Sequence, residues 1–179
     1  MKFSAIVNMM LIMELFTSIR GAYFRFTNMD CNSLDSEFVE VKECILKMVS
    51  RNVVGMNFHM VIKYGKPIDK IQFNISIFRK SNVYRQFLVN HTIDFCYYMR
   101  NPEKYPIFYM FHDSLMAATN ANHTCPYAEK DIYVRKMIFN DQTLKNLRTI
   151  LPEGEYKLAV SVGGFGVWRL KVNVYGRRG

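Results

Sequence analysis

The chain has 179 residues, of which 50% are hydrophobic and 22% are charged, and its formal net charge is +9. This length suits one domain, since a domain of about 150 residues buries roughly 68–70% of the surface that its unfolded chain exposes. The basic balance favours anionic partners, but Lys and Arg are scattered and form no run of five or six. We therefore expect a solvated basic surface and no nucleic-acid-binding site.

The N-terminal stretch is typical of a secretory signal peptide. Lys2 precedes an apolar run, Phe3–Phe16, and small residues follow it. The run is shorter than the roughly 20 apolar residues that a membrane-spanning helix needs; a helical membrane anchor is the alternative interpretation. We predict removal of residues 1–22, which takes two cations and one acid away and lowers the net charge from +9 to +8. Residues 23–179 are then predicted to be a single secreted β-sandwich domain with no membrane span.

Four cysteines remain after this removal. An even number in a secreted chain predicts two disulfides. Four cysteines allow three connectivities, and we favour Cys96–Cys125, which would bracket a helical segment, together with Cys31–Cys44. Their spacing lacks the close C-x-x-C pairs of a zinc site, so neither a metal nor any other cofactor is expected.

Alternation of apolar and polar residues predicts that much of the chain forms strands. The segment Ser36–Met48 alternates imperfectly, whereas Val54–Tyr64 and Ile68–Lys80 alternate cleanly, with a turn at Gly65-Lys66-Pro67 between them. A further strand is predicted over Phe87–Tyr97. The side chains predicted to face inward from these strands include Met56, Phe58, Met60, Ile71, Phe73, Ile75, Ile77, Phe87, Val89, Ile93 and Phe95.

Three N-x-S/T sequons are candidate glycosylation sites, at Asn74, Asn90 and Asn122. The first two asparagines fall on the polar side of predicted strands. Two independent patterns therefore agree in placing them in solvent.

An apolar helical segment is predicted between Cys96 and Cys125. Asn101 and Pro102 end the preceding strand, and Pro106 suits the first position of a helix. From there one apolar stripe recurs at helical spacing, formed by Ile107, Met110, Phe111, Leu115 and Ala118. We expect this helix to dock over one end of the sandwich, either as plain core or as the wall of a ligand pocket.

Strands resume after Tyr127, where Ile132, Val134 and Ile138 are predicted to share one face. The opposite face is predicted to carry Tyr133, Arg135, Met137 and Phe139. A polar linker, residues 140–148, leads to a hairpin whose turn is Gly163-Gly164-Phe165-Gly166, because glycines supply the positive φ that such turns need. The hairpin's predicted inward residues are Tyr156, Leu158, Val160, Val162, Trp168, Leu170, Val172 and Val174, and its predicted outward residues include Arg169 and Lys171.

About seven strands that return through short turns predict a mostly β fold. Antiparallel sheets with one wet face must bury their apolar faces against each other. The expected architecture is a disulfide-tied antiparallel β-sandwich or β-cup, with one helix inserted between Cys96 and Cys125.

Several short motifs together resemble a family of secreted insect proteins, domain-of-unknown-function family 1091, which is expanded in flies. The resemblance covers the chain from about Cys31 to Tyr175 and implies secretion and the disulfide-tied fold, but no biochemical activity. Its motifs are Cys44-Ile45-Leu46-Lys47, Phe87-Leu88-Val89-Asn90, Ile93-Asp94-Phe95-Cys96, Asn120-Ala121-Asn122-His123-Thr124-Cys125-Pro126-Tyr127 and Leu151-Pro152-Glu153-Gly154-Glu155-Tyr156.

A more remote similarity is to lipid-recognition proteins of the MD-2 and ganglioside-activator type, including insect chemosensory relatives. Those proteins are disulfide-tied β-cups that hold a lipid between their sheets. The similarity implies lipid or hydrocarbon binding, although fold alone does not determine function.

No catalytic motif is present: the sequence has no G-x-S-x-G, no H-E-x-x-H and no glycine-rich phosphate loop. The four histidines, His59, His91, His112 and His123, have no partner at metal-ligand spacing. Asp94 would act as a general base only if it were buried beside a substrate. We therefore expect a non-enzyme with no catalytic residue.

Two functions fit these observations. The first is a carrier or sensor of a lipid or hydrocarbon, because methionines and aromatic rings suit an adaptable apolar cavity; an ordinary close-packed core would use the same residues. The second is an interaction module that binds a receptor or matrix partner, such as a cell-surface receptor, through its basic surface and holds no internal ligand. The candidate pocket residues are Met56, Phe58, Met60, Phe73, Phe87, Phe95, Ile107, Phe108, Met110, Phe111, Leu115 and Trp168.

Overall fold

The computed structural model describes residues 23–51, 53–140 and 142–179. The predicted signal peptide, residues 1–22, lies outside the described residues. The strands in chain order are β1 (Phe24–Ser33), β2 (Val39–Ser50), β3 (Val53–Ile62), β4 (Ile71–Lys80), β5 (Tyr84–Asp94), β6 (Asp131–Phe139), β7 (Gly154–Gly164) and β8 (Val167–Arg178).

These strands form two antiparallel sheets that pack as a sandwich. The larger sheet has the order β1-β8-β7-β4-β5, and the smaller sheet has the order β2-β3-β6. The predicted fold class is confirmed. The strand that sequence reasoning did not identify is β1, whose alternation of Phe24 and Phe26 is interrupted by a bulge between Phe26 and Asn28 before Met29 turns inward.

Both favoured disulfides are present. Cys31–Cys44 joins β1 to β2, which are edge strands of the larger and the smaller sheet. Cys96–Cys125 closes a loop with a sequence separation of 29 residues. Each bond therefore ties parts of the chain that no backbone ladder connects, and disulfides of this kind are compatible with an extracellular protein.

The segment between Cys96 and Cys125 differs from the single helix predicted for it. It contains α1 (Phe95–Arg100), a 3-10 turn (Pro102–Lys104), α2 (Pro106–Tyr109) and α3 (His112–Ala118). The prediction of a strand as far as Tyr97 is wrong, because Asp94 accepts a hydrogen bond from the Tyr97 amide at 2.9 Å and caps α1. The prolines then separate the helical turns.

A fourth helix, α4 (Lys145–Ile150), lies in the segment predicted as a polar linker. Its Leu147 is buried, as is Leu144 just before it. Two apolar side chains on one face anchor this short helix to the core. Within the described part of the chain, no helix has the length and apolar character needed to cross a membrane.

A bulge in β6 changes which residues face the core. The register moves from the pair Met56 and Met137 to the pair Phe58 and Val134, so that Asn57 stands opposite two residues. Lys136 adopts a φ of 51°, and its amide donates to Asn57 Oδ1 at 2.8 Å. Met137 is buried as a result, and the prediction that it faces away from Val134 is wrong.

Candidate functional site

A cavity of about 280 Å³ lies between the two sheets. The larger sheet contributes wall residues from β1, β4, β7 and β8, and the smaller sheet contributes them from β2, β3 and β6. The helical segment closes part of the remaining wall with Phe108, Phe111, Leu115 and Met116. Nearly all of the atoms that face the space are therefore carbon or sulfur.

Three valine and leucine side chains in the middle of the larger sheet indicate that this space is real. Leu158, Val160 and Val162 lie on β7, the third of five strands, and line the cavity. All three are only half-buried. A close-packed interior would cover inward-facing side chains at the centre of a sheet completely. Their remaining exposure is to the cavity.

Eight of the predicted pocket residues lie in the cavity wall. The sheets supply Met56, Phe58, Met60 and Phe73, and the helical segment supplies Phe95, Phe108, Phe111 and Leu115. Strand alternation predicted that the strand residues and Phe95 face inward, and the apolar stripe contained Phe111 and Leu115, whereas Phe108 lies off that stripe. Phe95 and Phe108 belong to helical turns whose boundaries were predicted differently.

Four predicted pocket residues lie elsewhere. Phe87 packs against Tyr156, with ring centroids 6.0 Å apart, and Ile107 packs against a separate cluster of buried residues. Met110 packs against the main core without lining the cavity. Trp168 is 39% exposed.

Trp168 faces outward because of a bulge in β8. The pairing shifts from Val162 with Leu170 to Gly163 with Trp168, which leaves Arg169 as the extra residue. A Cβ on Gly163 would lie 3.1 Å from the Trp168 ring, so the glycine leaves room for the indole to lie across β7. The bulge also brings Arg169, predicted to face solvent, into the cavity wall.

Other wall residues escaped sequence reasoning. Phe26 and Met29 come from the unrecognised strand β1, and Met137 comes from the β6 bulge. Ile68 and Tyr127 come from two loops joined by an isolated bridge. Of these, only the Phe24-x-Phe26 alternation carried a local signal. The bulges and the bridge depend on partner strands.

Three hydroxyl groups in the wall are satisfied by hydrogen bonds. Tyr98 Oη bonds to His112 Nδ1 at 2.8 Å, Thr119 Oγ1 donates to the Tyr133 carbonyl at 2.7 Å, and Tyr127 Oη donates to the His123 carbonyl. Burial, with a smaller contribution from the negative charge of Asp113, raises the pKa of Tyr98 to about 12. Burial likewise raises the pKa of Tyr127 to about 12. These hydroxyls remain neutral at physiological pH.

Arg169 is the charged residue of the wall. Its guanidinium carbon lies 4.4 Å from the centroid of the Phe38 ring, and its Nη1 pairs with Asp35 Oδ2. Beyond Phe38, the rings of Tyr64 and Phe165 continue outward with centroid separations of 5.3 Å each. At this end an aromatic series runs from the cavity to exposed rings.

The histidines and Asp94 lie away from the cavity wall or are engaged in structural contacts. His59 Nε2 lies 2.8 Å from Asp131 Oδ1, and His123 Nε2 lies 2.8 Å from Glu129 Oε1, both on the surface. Asp94 caps α1. Among the described residues, no group of three or more His, Cys, Asp or Glu side chains could hold a metal ion.

The sequon asparagines lie at the surface to different extents. Asn90 and Asn122 are exposed, and Asn74 is half-buried. Asn74 Nδ2 donates to Asn90 Oδ1 at 2.8 Å and to Thr92 Oγ1 at 2.9 Å. The first two sequons therefore face each other across β4 and β5.

Comparison with known proteins gives a match to one family model over part of the chain. No curated protein matches the chain. The family described as "Protein of unknown function (DUF1091)" matches residues 73–158. This match runs from β4 through the helical segment and β6 into β7 and includes both cysteines of the Cys96–Cys125 bond, so this part of the chain is similar to that family.

Proposed function

We propose that the protein is an extracellular, non-enzymatic carrier or sensor of a lipid or hydrocarbon, which it holds between its two sheets. The observation that carries this proposal is the apolar cavity of about 280 Å³. Small-molecule sites commonly measure about 300–1,000 Å³ and are lined mainly by hydrophobic and aromatic side chains. The cavity is slightly smaller than the lower limit of that range.

The cavity's size restricts the ligand. If each non-hydrogen atom takes roughly the 30 Å³ that a water molecule occupies in the liquid, a space of about 280 Å³ holds on the order of ten such atoms. One medium-length hydrocarbon chain has this size. A lipid with several acyl chains would require the sheets to move apart.

The composition of the wall supports an adaptable site. Five methionines line the cavity, and they come from both sheets and from the helical segment: Met29, Met56, Met60, Met116 and Met137. Thioether side chains are flexible and polarizable and adjust to ligands of different shape. We therefore expect the protein to accept a set of related chains.

The extracellular part of the proposal rests on the two disulfides and the three sequons. Disulfides persist in oxidising compartments. The remote similarity to lipid-recognition proteins of the MD-2 type agrees with this setting, since those proteins also hold their ligand between two disulfide-tied sheets.

The test is to produce the glycosylated protein in insect cells and to record native mass spectra without detergent. A fluorescent fatty-acid analogue is then displaced by hydrocarbons of increasing length. We expect a co-purified small apolar molecule or saturable displacement. Absence of both would refute the carrier function and would favour the alternative, an interaction module that uses its basic surface.

A pair of phenylalanine variants separates binding from stability. Phe111 lines the cavity, whereas Phe87 is partly buried outside it. We expect Phe111→Ala to shift the preferred chain length upward, because it enlarges the site. Phe87→Ala should lower stability by up to about 3–5 kcal/mol and leave the chain-length preference unchanged. Equal shifts in both variants would contradict the assignment of the site.

A further inference from the structure

Positive charge is concentrated at one end of the larger sheet. At this end the β4–β5 turn lies beside the starts of β1 and β7 and the end of β8. Two carboxylates are found there, those of Glu153 and Glu155, against seven cations on the surrounding strands: Arg25, Arg79, Lys80, Arg85, Lys157, Arg177 and Arg178.

The opposite end of the sandwich has no such excess. The loops that join β1 to β2 and β3 to β4, residues 34–38 and 63–70, carry three lysines and three carboxylates: Lys63, Lys66, Lys70, Asp35, Glu37 and Asp69. The basic character of the chain is therefore local, and it belongs to the end where β7 begins.

Four of the cations lie on the outer face of the larger sheet. Arg25 stands opposite Arg177, and Arg177 stands opposite Glu155. Lys80 Nζ donates to Glu155 Oε2 at 2.8 Å, and Lys157 shares the face of Glu155 because it lies two residues further along β7. Four adjacent strands thus present a cation to solvent, over a width of about 14 Å. We call Arg25, Lys80, Lys157 and Arg177 the basic face.

The basic face places like charges side by side. Residues of like charge that stand directly opposite each other on neighbouring strands destabilise a sheet. The carboxylate of Glu155 is already paired with Lys80, and the exposed Arg25 side chain has no hydrogen bond or ion pair with any described residue. An anion from outside the chain would relieve the repulsion between Arg25 and Arg177.

The lysines of this face are held in place. Lys157 Nζ lies 4.4 Å from the centroid of the Phe78 ring and 5.3 Å from that of Tyr84. Lys80 is fixed by its pair with Glu155. Cations that are ordered before binding lose less entropy when a partner arrives.

We propose that the basic face binds a sulfated polysaccharide. Cations spaced across four strands fit a partner whose anionic groups repeat along a chain, and an arginine fork matches two oxygen atoms of one such group. An anionic membrane is held by buried apolar area as well as by charge. The rows of the basic face expose no aliphatic side chain, and Lys157 covers the Phe78 ring.

The basic face and the cavity lie toward different ends of the sandwich. On β7 the cavity is lined from Leu158 to Gly164, whereas Tyr156 does not line it. A polysaccharide on the basic face would therefore leave the cavity accessible. The proposal goes beyond the carrier function and does not depend on it, although the choice of a polysaccharide uses the extracellular setting.

The experiment measures binding of the glycosylated full chain to immobilised heparin by surface plasmon resonance. We expect saturable binding at about 0.15 M salt that is lost at about 1 M salt, where the screening length falls from about 8 Å to about 3 Å. Soluble heparin should compete, and fully desulfated heparin should not. Arg25→Gln combined with Arg177→Gln should weaken binding about tenfold, since each exposed ion pair contributes up to about 1 kcal/mol.

The matched control is Lys66→Gln combined with Lys70→Gln, which removes the same charge from two exposed side chains at the other end. Heparin affinity should change by less than about twofold in this control. Equal weakening in the two double variants would show that binding reports net charge alone and would overturn the basic face. If the arginine double variant does not fold, Arg25→Gln alone must weaken binding about threefold.

The remaining outcomes separate this proposal from its alternatives and from the carrier function. Absence of heparin binding, or equal competition by desulfated heparin, would refute it. Binding to phosphatidylserine vesicles but not to heparin would identify an anionic membrane as the partner and refute the polysaccharide. Saturating heparin should leave binding of the fluorescent fatty-acid analogue unchanged, and a protein that binds heparin without binding the analogue would refute the carrier function alone.

Discussion

Filling the cavity from within tests its existence more directly than any ligand does. Val160 lies on the central strand β7, faces the cavity and is half-buried. Val160→Phe adds four carbon atoms to a side chain that points into empty space. We therefore expect this enlargement to stabilise the protein, which is the reverse of the usual result in a core.

The expected gain can be estimated from the carbon atoms added. Burying each one contributes up to about 0.8 kcal/mol, so four contribute at most about 3 kcal/mol, and imperfect fit and loss of rotamer freedom offset part of this. We expect a net gain of about 1 kcal/mol in the free energy of unfolding. If the interior were close-packed at Val160, the same change would cost about 1–3 kcal/mol through overpacking.

The assay is equilibrium unfolding in urea, followed by circular dichroism. Val54→Phe is the matched control, since Val54 is buried and does not line the cavity. The free energy of unfolding should fall in Val54→Phe and rise in Val160→Phe. Val160→Phe should also weaken binding of the fluorescent fatty-acid analogue by at least about tenfold, because the larger side chain occupies the volume that the ligand needs. Destabilisation by both changes would refute the reasoning that the exposure of Val160 reports an internal space.

Three further predictions address the disulfide, a titrating histidine and glycosylation. Replacing Cys96 and Cys125 together by serine opens a loop with a sequence separation of 29 residues and should lower the unfolding free energy by about 3.5 kcal/mol; urea unfolding that shows no loss would contradict this. The hydrogen bond to the Thr124 carbonyl, followed by the pairing with Glu129, raises the pKa of His123, so its contribution to stability is complete below pH 6.5 and is lost as pH rises through the raised pKa. An NMR titration should show a raised pKa of His123 in the unaltered protein and a lower His123 pKa in Glu129→Gln. An unchanged His123 pKa in the variant would exclude the carboxylate as a cause. Asn74 is half-buried and its Nδ2 already donates two hydrogen bonds, so glycopeptide mass spectrometry should find lower occupancy there than at the other two sequons, and equal occupancy would refute this reasoning.

Local sequence patterns, such as strand alternation and turn residues, made much of the fold predictable. The strict alternation in β3 and β4 assigned Phe58, Met60 and Phe73 to the interior, where they line the cavity. The hairpin β7–β8 was equally clear from its alternation and its glycine-rich turn. The turn itself is shorter than predicted, and its two residues with positive φ are Phe165 and Gly166. The cysteine count and the helical segment between Cys96 and Cys125 also indicated the correct pairing.

Only the tertiary structure decided the positions that depend on a partner strand. The bulges at Lys136 and Arg169 arise from the register of β3 against β6 and of β7 against β8, and each moves a side chain to the face opposite its predicted one. Local contacts also mattered: the Asp94 cap begins a helix where the alternation predicted a strand, and Pro102 and Pro106 divide the segment that follows.

The cavity is the feature that sequence could not settle. Methionines, phenylalanines and valines on inward faces are needed by a close-packed core and by a ligand site alike, so composition and alternation determined an apolar interior without determining whether it is full. The volume between the sheets depends on how far apart the disulfides, the helical segment and the strand bulges hold them. That distance is a property of the assembled sandwich, and it also brings Arg169, an apparently solvent-facing residue of an alternating strand, into the wall of the site.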